Sequence, residues 1–402
     1  MSPAADDSHA SCMLRGQVVL PDRVIDDGVV IITGDELSWV GPAERVPATG
    51  ELPPASADRI LPGLVDLHNH GGGGVGFPDV RDAEAARAGA QEHLAHGTTT
   101  LLASLVTADR DSLLAQAELL SALVDAGDLG GIHAEGPFLS VDRCGAQSPD
   151  HLIPGDAGLV RELAAAAGGH LKTMTVAPEV PGVAGPGGAV EALLGVGALP
   201  SIGHTNCPME TAAAFLGKVN DHLGSARMTA THLFNAMPPM HHRHPGPVAA
   251  CLAAARAGDL VVELIGDGVH LAPGMVSAVF DLVGPDGIVL VTDAMAAAGM
   301  ADGDYELGPM AVRVAGGVAR LRDQGDGGSI AGGTTHLLQV VAASVAAGVP
   351  LVAAVRSASW VPAGILSRSD IGALLSGRRA DVVVVDAQWS ARQVYRSGVR
   401  VH

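Results

Sequence analysis

Short apolar, β-branched runs recur along the chain and alternate with stretches in which Ala and Leu return at helical spacing. The runs are LPGLVDLHNH (61–70), GTTTLLASLVT (97–107), LGGIHAEGPFL (129–139), HLKTMTVAPE (170–179), ALPSIGHTN (198–206), ARMTATHLFNAM (226–237), LVVELIGDGVH (260–270) and GIVLVTDAM (287–295). Their length and composition predict buried strands. Segments such as DAEAARAGAQEHLAHG and PMETAAAFLGKVNDHLG carry the spacing of amphipathic helices. Eight strands alternating with helices predict an α/β chain with a closed parallel (β/α)8 TIM barrel. Six of the eight runs end in a polar cluster: HNH, HAEGP, GHTN, THLFN, DGVH and TDAM. Barrel enzymes carry their chemistry at the C-terminal ends of the strands, so these clusters mark the candidate site.

The flanks have a different pattern. Residues 14–60 hold short β-like runs (QVVL, GVVIIT, LSWVG) broken by Gly, Pro and Asp, and ADVVVVDAQWSARQVYRSGVRVH (380–402) repeats the style. Both ends are expected to pair into one small β-sandwich, formed by 1–60 and 371–402, beside a catalytic barrel at 61–370. The stretch 303–330, which opens GDYELGPMAVRVAGGVARLRDQGDGG, predicts a hairpin inserted after the eighth strand, with helix resuming over 333–375.

Composition narrows the function classes. The net charge of −19 argues against nucleic acid or an anionic membrane surface as partner. It also means that a site for an anionic ligand must supply its own cations. The chain shows neither a signal-peptide pattern at MSPAADDSHASC nor a run long enough to span a membrane, and its four cysteines lack disulfide or zinc-ribbon spacing. A cytoplasmic protein is expected. With so few aromatic residues, a small ligand held by hydrogen bonds suits the chain better than a stacked polymer.

The strand-end clusters contain metal-ligand chemistry. His68 and His70 lie two apart on one strand, so both imidazoles face one side, and neutral imidazole suits zinc and iron. Four glycines follow and leave the space open. Glu135 sits in a buried strand, where a carboxylate must be paired or metal-bound; His133, two residues earlier, is expected to support it. His204 and His232 follow apolar runs on consecutive strands. A single such histidine is ordinarily a core group, but together with Glu135 and the His-x-His pair they form a ring of ligands. Asp293 ends the eighth run, where a carboxylate can act as general base and then general acid in metal-assisted hydrolysis. N-capping of the next helix is its plain alternative.

HAEGPFLS, GHTN, THLFNAMPPMHHRHPG, GDGVH and VTDAMAAAG together resemble the amidohydrolase superfamily, and within it the N-acetylglucosamine-6-phosphate deacetylases, over almost the whole chain. The resemblance implies that Glu135, His204 and His232 are the principal metal ligands. Retention of His68 and His70 implies room for a second metal, with Glu135 bridging. One or two divalent ions per subunit are expected: zinc first, with iron, manganese or cobalt also accepted by such donors. It also implies that Asn235 and Ala236 contact sugar and phosphate, that His270 meets a sugar hydroxyl, and that Arg243 binds the phosphate, in a homodimer from across the interface. Gln147 stands where the family often has a histidine that donates to the acetyl oxygen; glutamine can donate but carries no charge. The expected reaction yields acetate and D-glucosamine 6-phosphate, in amino-sugar catabolism or cell-wall recycling. The galactosamine epimer is a near alternative as substrate. A cyclic amidase with a carboxylated lysine is disfavoured because Lys172, the nearest lysine, starts its run rather than ending it.

Two loops carry further expectations. FLSVDRCGAQSPDH (138–151) is rich in Gly, Ser, Pro and Asp and predicts a lid that brings in Gln147, with Cys144 at its mouth beside Arg143. MHHRHPG (240–246) is the most basic cluster near any strand end, and Arg243 within it offers a planar fork for two phosphate oxygens.

Overall fold

A computed structural model describes residues 11–47 and 51–402; the polar stretch 1–10 lies outside the described residues. The eight barrel strands are β1 (Leu64–Asn69), β2 (Thr98–Leu105), β3 (Gly131–Glu135), β4 (Leu171–Val176), β5 (Leu199–Ile202), β6 (Met228–Ala230), β7 (Leu260–Leu264) and β8 (Ile288–Leu290). They form one parallel sheet in chain order. The circle closes just beyond β8: Asp293 N donates to the His68 carbonyl (2.9 Å) and His70 N donates to the Ala294 carbonyl (2.6 Å). Asp66 supports this seam, accepting from Thr292 Oγ1 at 2.5 Å and Asn69 Nδ2 at 3.1 Å. Burial pushes its carboxyl up to about 6, against the pull of those hydrogen bonds.

Helices surround the barrel, and their starts follow the sequence. Asp82, Asp109 and Asp156 cap the helices Ala83–Ala95, Arg110–Asp125 and Ala157–Ala166 through side-chain bonds to free N–H groups. The barrel interior holds Val65, Leu67, Leu102, Val261, Ile265, Val289 and Val291, packed against Val361 and Ile371 from the C-terminal segment. Strict alternation along β1 would place Leu67 and His68 on opposite faces. The register of β1 against β2 is irregular between Asp66 and Asn69, which lets the apolar pair and the two histidines both face inward.

The chain ends meet in a seven-stranded sheet, in the order 399–400, 391–396, 382–385, 59–62, 11–19, 24–33 and 36–42. All pairs are antiparallel except that of Ser11–Val19 with Arg59–Pro62. Its core includes Val18, Val30, Ile32, Leu37, Ile60 and Val382. The segment after β8 is a three-stranded antiparallel sheet, Gly303–Leu307, Met310–Ala315 and Val318–Leu321, one strand more than a hairpin.

The run 61–70 is two strands rather than one. Arg59–Pro62 belongs to the end sheet and Leu64–Asn69 to the barrel, and the chain crosses at Gly63. A Cβ on Gly63 would lie 2.2 Å from Thr99 Oγ1 and 2.8 Å from Asp381 Cβ. Gly63→Ala is therefore expected to destabilise the protein by about 1–3 kcal/mol through overpacking. A melting temperature equal to that of the wild type would show that the crossing has slack the structure does not show.

Candidate active site

Four histidines, Glu135 and Asp293 converge at the C-terminal ends of the strands. Glu135, at the end of β3, is buried between two histidine pairs. Its Oε1 lies 2.8 Å from His204 Nε2 and 2.9 Å from His232 Nε2. Its Oε2 lies 3.2 Å from His70 Nε2 and 3.8 Å from His68 Nε2. Within each pair the Nε2 atoms are close: 3.0 Å for His68 and His70, 3.1 Å for His204 and His232. Ligands about 2.0–2.1 Å from one tetrahedral ion stand roughly 3.3 Å apart, so each pair with one Glu135 oxygen is shaped for a divalent cation.

The opposite ring nitrogens support this. His68 Nδ1 faces Glu263 Oε2 at 3.2 Å, His70 Nδ1 the Ser104 carbonyl at 3.1 Å, and His204 Nδ1 the Arg143 carbonyl at 2.8 Å. An acceptor at Nδ1 fixes the proton there and leaves the Nε2 lone pair free to ligate. His232 Nδ1 is buried without a partner among the described residues. His133 is not a ligand: its ring bonds Ser104 Oγ and Thr175 Oγ1, both at 2.9 Å. Burial, reinforced by His68, holds it neutral, well below the usual imidazole range. Thr175, Thr231, Ser201 and Thr229 continue this hydroxyl network across the lumen.

Asp293 approaches from the other side, its Oδ1 at 3.4 Å from His68 Nε2 and 3.3 Å from His70 Nε2. Burial alone would raise its carboxyl, but His68 and His70 hold it below the ordinary range. It caps no helix. His204, His232 and Asp293 have φ of 47°, 28° and 48°, a left-handed backbone that costs about 1–3 kcal/mol at a non-glycine residue. Strain at three strand ends that aim side chains into one space marks a functional centre.

A cavity of about 350 Å3 opens above these groups. Gln147, Asn235, Ala236 and His270 line it, as does Arg143. Gln147 is pinned, its Oε1 accepting from Thr107 N (2.7 Å) and its Nε2 donating to Glu135 Oε2 (2.5 Å). His270 Nδ1 bonds Asp267 Oδ2 at 2.8 Å. Cys144 is half-buried, and the Arg143 guanidinium turns to Asn206 Oδ1 (3.0 Å). Arg243 is exposed outside the cavity of its own chain, with one guanidinium nitrogen 2.8 Å from His242 Nε2. The three-stranded sheet and the turn after it form the far wall through Leu307, Ile330 and Gly332.

Sequence reasoning missed Glu263, which is buried and also accepts from His232 N at 3.2 Å, so that it touches both histidine pairs. The signal was a single acid inside the apolar run LVVELI.

A fold and a site of this kind define an amidohydrolase, and the model of the amidohydrolase family matches residues 59–399. An N-acetylglucosamine-6-phosphate deacetylase of Lysinibacillus sphaericus is 34% identical over 349 residues, covering 85% of each chain. An N-acetylgalactosamine-6-phosphate deacetylase of Escherichia coli O157:H7 is 31% identical over 352 residues, 85% of this chain and 87% of that one. Among solved structures, a variant N-acetyl-D-glucosamine-6-phosphate deacetylase of Mycobacterium smegmatis, in complex with N-acetyl-D-glucosamine-6-phosphate, superposes with a TM-score of 0.88 at 37% identity, covering 98% of this chain and 99% of that one. The chain belongs to the amidohydrolase family and, within it, to the N-acetylglucosamine-6-phosphate deacetylases.

Glu263→Gln keeps the shape of the group behind His68 but removes its charge. The substitution is expected to weaken metal retention about 10- to 100-fold, the usual effect of altering the group that supports a ligand. Chelator competition measures this directly; an unchanged affinity would leave Glu263 a packing residue only.

Proposed function

We propose that the protein hydrolyses the acetamide of N-acetyl-D-glucosamine 6-phosphate, releasing acetate and D-glucosamine 6-phosphate. The observation that carries this reading is the buried Glu135 carboxylate shared between two imidazole pairs, with Asp293 facing the same space. His204, His232 and Glu135 Oε1 would hold one divalent cation; His68, His70 and Glu135 Oε2 would hold a second. Zinc suits this donor set best, and iron, manganese or cobalt are also compatible with it. When bound, such an ion supplies Lewis acidity, lowering the pKa of a coordinated water to about 7 and polarising a carbonyl.

The chain's own groups supply the rest. Asp293 accepts the proton of the attacking water, the acetamide C–N bond breaks, and Asp293 returns the proton to the leaving amine. Gln147 has a second amide hydrogen beyond the one given to Glu135, and it donates to the oxygen that gains charge as the carbonyl becomes tetrahedral. Asn235, Ala236 and His270 line the cavity where the sugar would sit.

The phosphate needs a cation, and among the described residues Arg143 is the one lysine or arginine that lines the cavity of a single chain. Arg243 is exposed and carries no carboxylate partner among the described residues. This supports a homodimer in which Arg243 reaches the neighbouring subunit's site. The 138–151 segment, which carries Gln147, is proposed as a lid over the sugar, with Cys144 near its rim. Among the described residues no helix is long and apolar enough to cross a membrane, and a cytoplasmic enzyme of amino-sugar metabolism fits the reading.

Asp293→Asn should retain metal and substrate binding but lose at least about a hundredfold in kcat; near-normal turnover would overturn the assignment of base and acid. Arg243→Ala should raise KM for the 6-phosphate by tens-fold or more while leaving the poor activity on unphosphorylated N-acetylglucosamine unchanged. Equal losses on both substrates would make Arg243 a structural residue. Mixed Arg243→Ala and Asp293→Asn subunits should regain activity at sites that combine the two intact residues. No recovery in verified mixed dimers would contradict a role across the interface.

A further inference from the structure

The opposite end of the barrel holds a second cavity of about 280 Å3. Thr100 of β2, Lys172 at the start of β4, and His170 line it from the barrel; Arg368, Arg379 and Arg396 line it from the C-terminal segment and the end sheet. No carboxylate lines it among the described residues. In a chain of net charge −19, three arginines and a lysine around one cavity run against the general balance.

A structural salt-bridge network accounts for half of this cluster. Arg368 is held by Asp370 through two bonds of 2.7 and 2.6 Å, and Arg379 is held by Asp381. Lys172 and Arg396 remain. Lys172 has no hydrogen bond or ion pair among the described residues. Arg396 donates only to the Gly127 carbonyl. Burial, with Arg379 and Arg368 nearby, presses the Arg396 guanidinium below its ordinary value, against the pull of Asp381 and Asp128. Repulsion among fixed cations in a partly desolvated space is offset when an anion sits among them.

We propose that this cavity is an anion site, separate from the active site, that takes a small phosphorylated metabolite through Lys172 and Arg396, with Arg368 and Arg379 completing the cradle. Phosphate is favoured over a carboxylate because the cations come from three different elements. A tetrahedral dianion offers acceptors in several directions, whereas a planar carboxylate is served by one guanidinium fork. The volume is near the lower end for small-molecule pockets, about 300 Å3, which leaves room for a phosphate with a short organic body.

The test is calorimetric titration of the metal-loaded protein with inorganic phosphate, repeated on Lys172→Gln and Arg396→Gln. The Lys172 stem packs over Gly131, and glutamine keeps most of that stem, so its variant should melt with the wild type and keep its KM for the acetylated sugar phosphate. Each substitution is expected to weaken one phosphate-binding event at least tenfold, and malonate should bind there at least tenfold more weakly than phosphate. Phosphate binding unchanged in both variants, or absent from the wild type, would overturn the site. Equal binding of malonate and phosphate would overturn the choice of ligand.

Discussion

The structure depends on one interaction: a buried carboxylate, Glu135, placed so that each of its oxygens faces a different pair of imidazoles. A lone carboxylate in that position would be driven to protonate, and four close imidazoles could not all carry a proton. The arrangement is stable when cations sit between the donors, and much of the lumen serves that end. Glu263, the Ser104 carbonyl and the Arg143 carbonyl fix the tautomers of three of the four histidines. His133 is kept neutral and fully hydrogen-bonded to hydroxyls, so it braces the ring without joining it. The left-handed backbone at His204, His232 and Asp293 turns three strand ends inward at the same height. The closed sheet holds that strain because Asp66 and Thr292 tie the first and last strands together beneath the histidines.

Much of this was legible in the sequence. A barrel strand buried on both faces reads as a largely apolar run, and the polar cluster at its C-terminal end stands at the mouth. That is why Glu135, His204, His232 and Asp293 could be found by position alone. Three things were not legible. Apolar residues stand on both sides of Pro62-Gly63, so the run 61–70 reads as one strand; its division at Gly63 between two sheets depends on Thr99 and Asp381, which are distant in sequence. The irregular register in β1, which turns both Leu67 and His68 inward, is a pairing property that no single strand encodes. Glu263 was hidden because a lone acid in an apolar run gives no hint of its partner until β7 and β1 are seen to share the lumen.

Charge is distributed with the same economy. Against the net negative charge of the chain, Arg143 and Arg243 near the mouth of the barrel and Lys172 and Arg396 at its base are cations without an ion pair among the described residues. Arg143 lines the active-site cavity with its guanidinium bonded to Asn206, while Arg243 stands outside it. A sugar phosphate approaching this barrel would be drawn in by a few placed groups, against the field of the chain as a whole.

The central claim is that the imidazole pairs around Glu135 hold a metal on which deacetylation depends. The most direct test follows acetate release from N-acetyl-D-glucosamine 6-phosphate by chelator-treated protein, before and after zinc is restored, with bound metal measured in the same samples. The account predicts no release from metal-free protein and recovery in step with metal bound per chain. Full activity in the metal-free protein, or bound metal at these histidines with no acetate released, would contradict it.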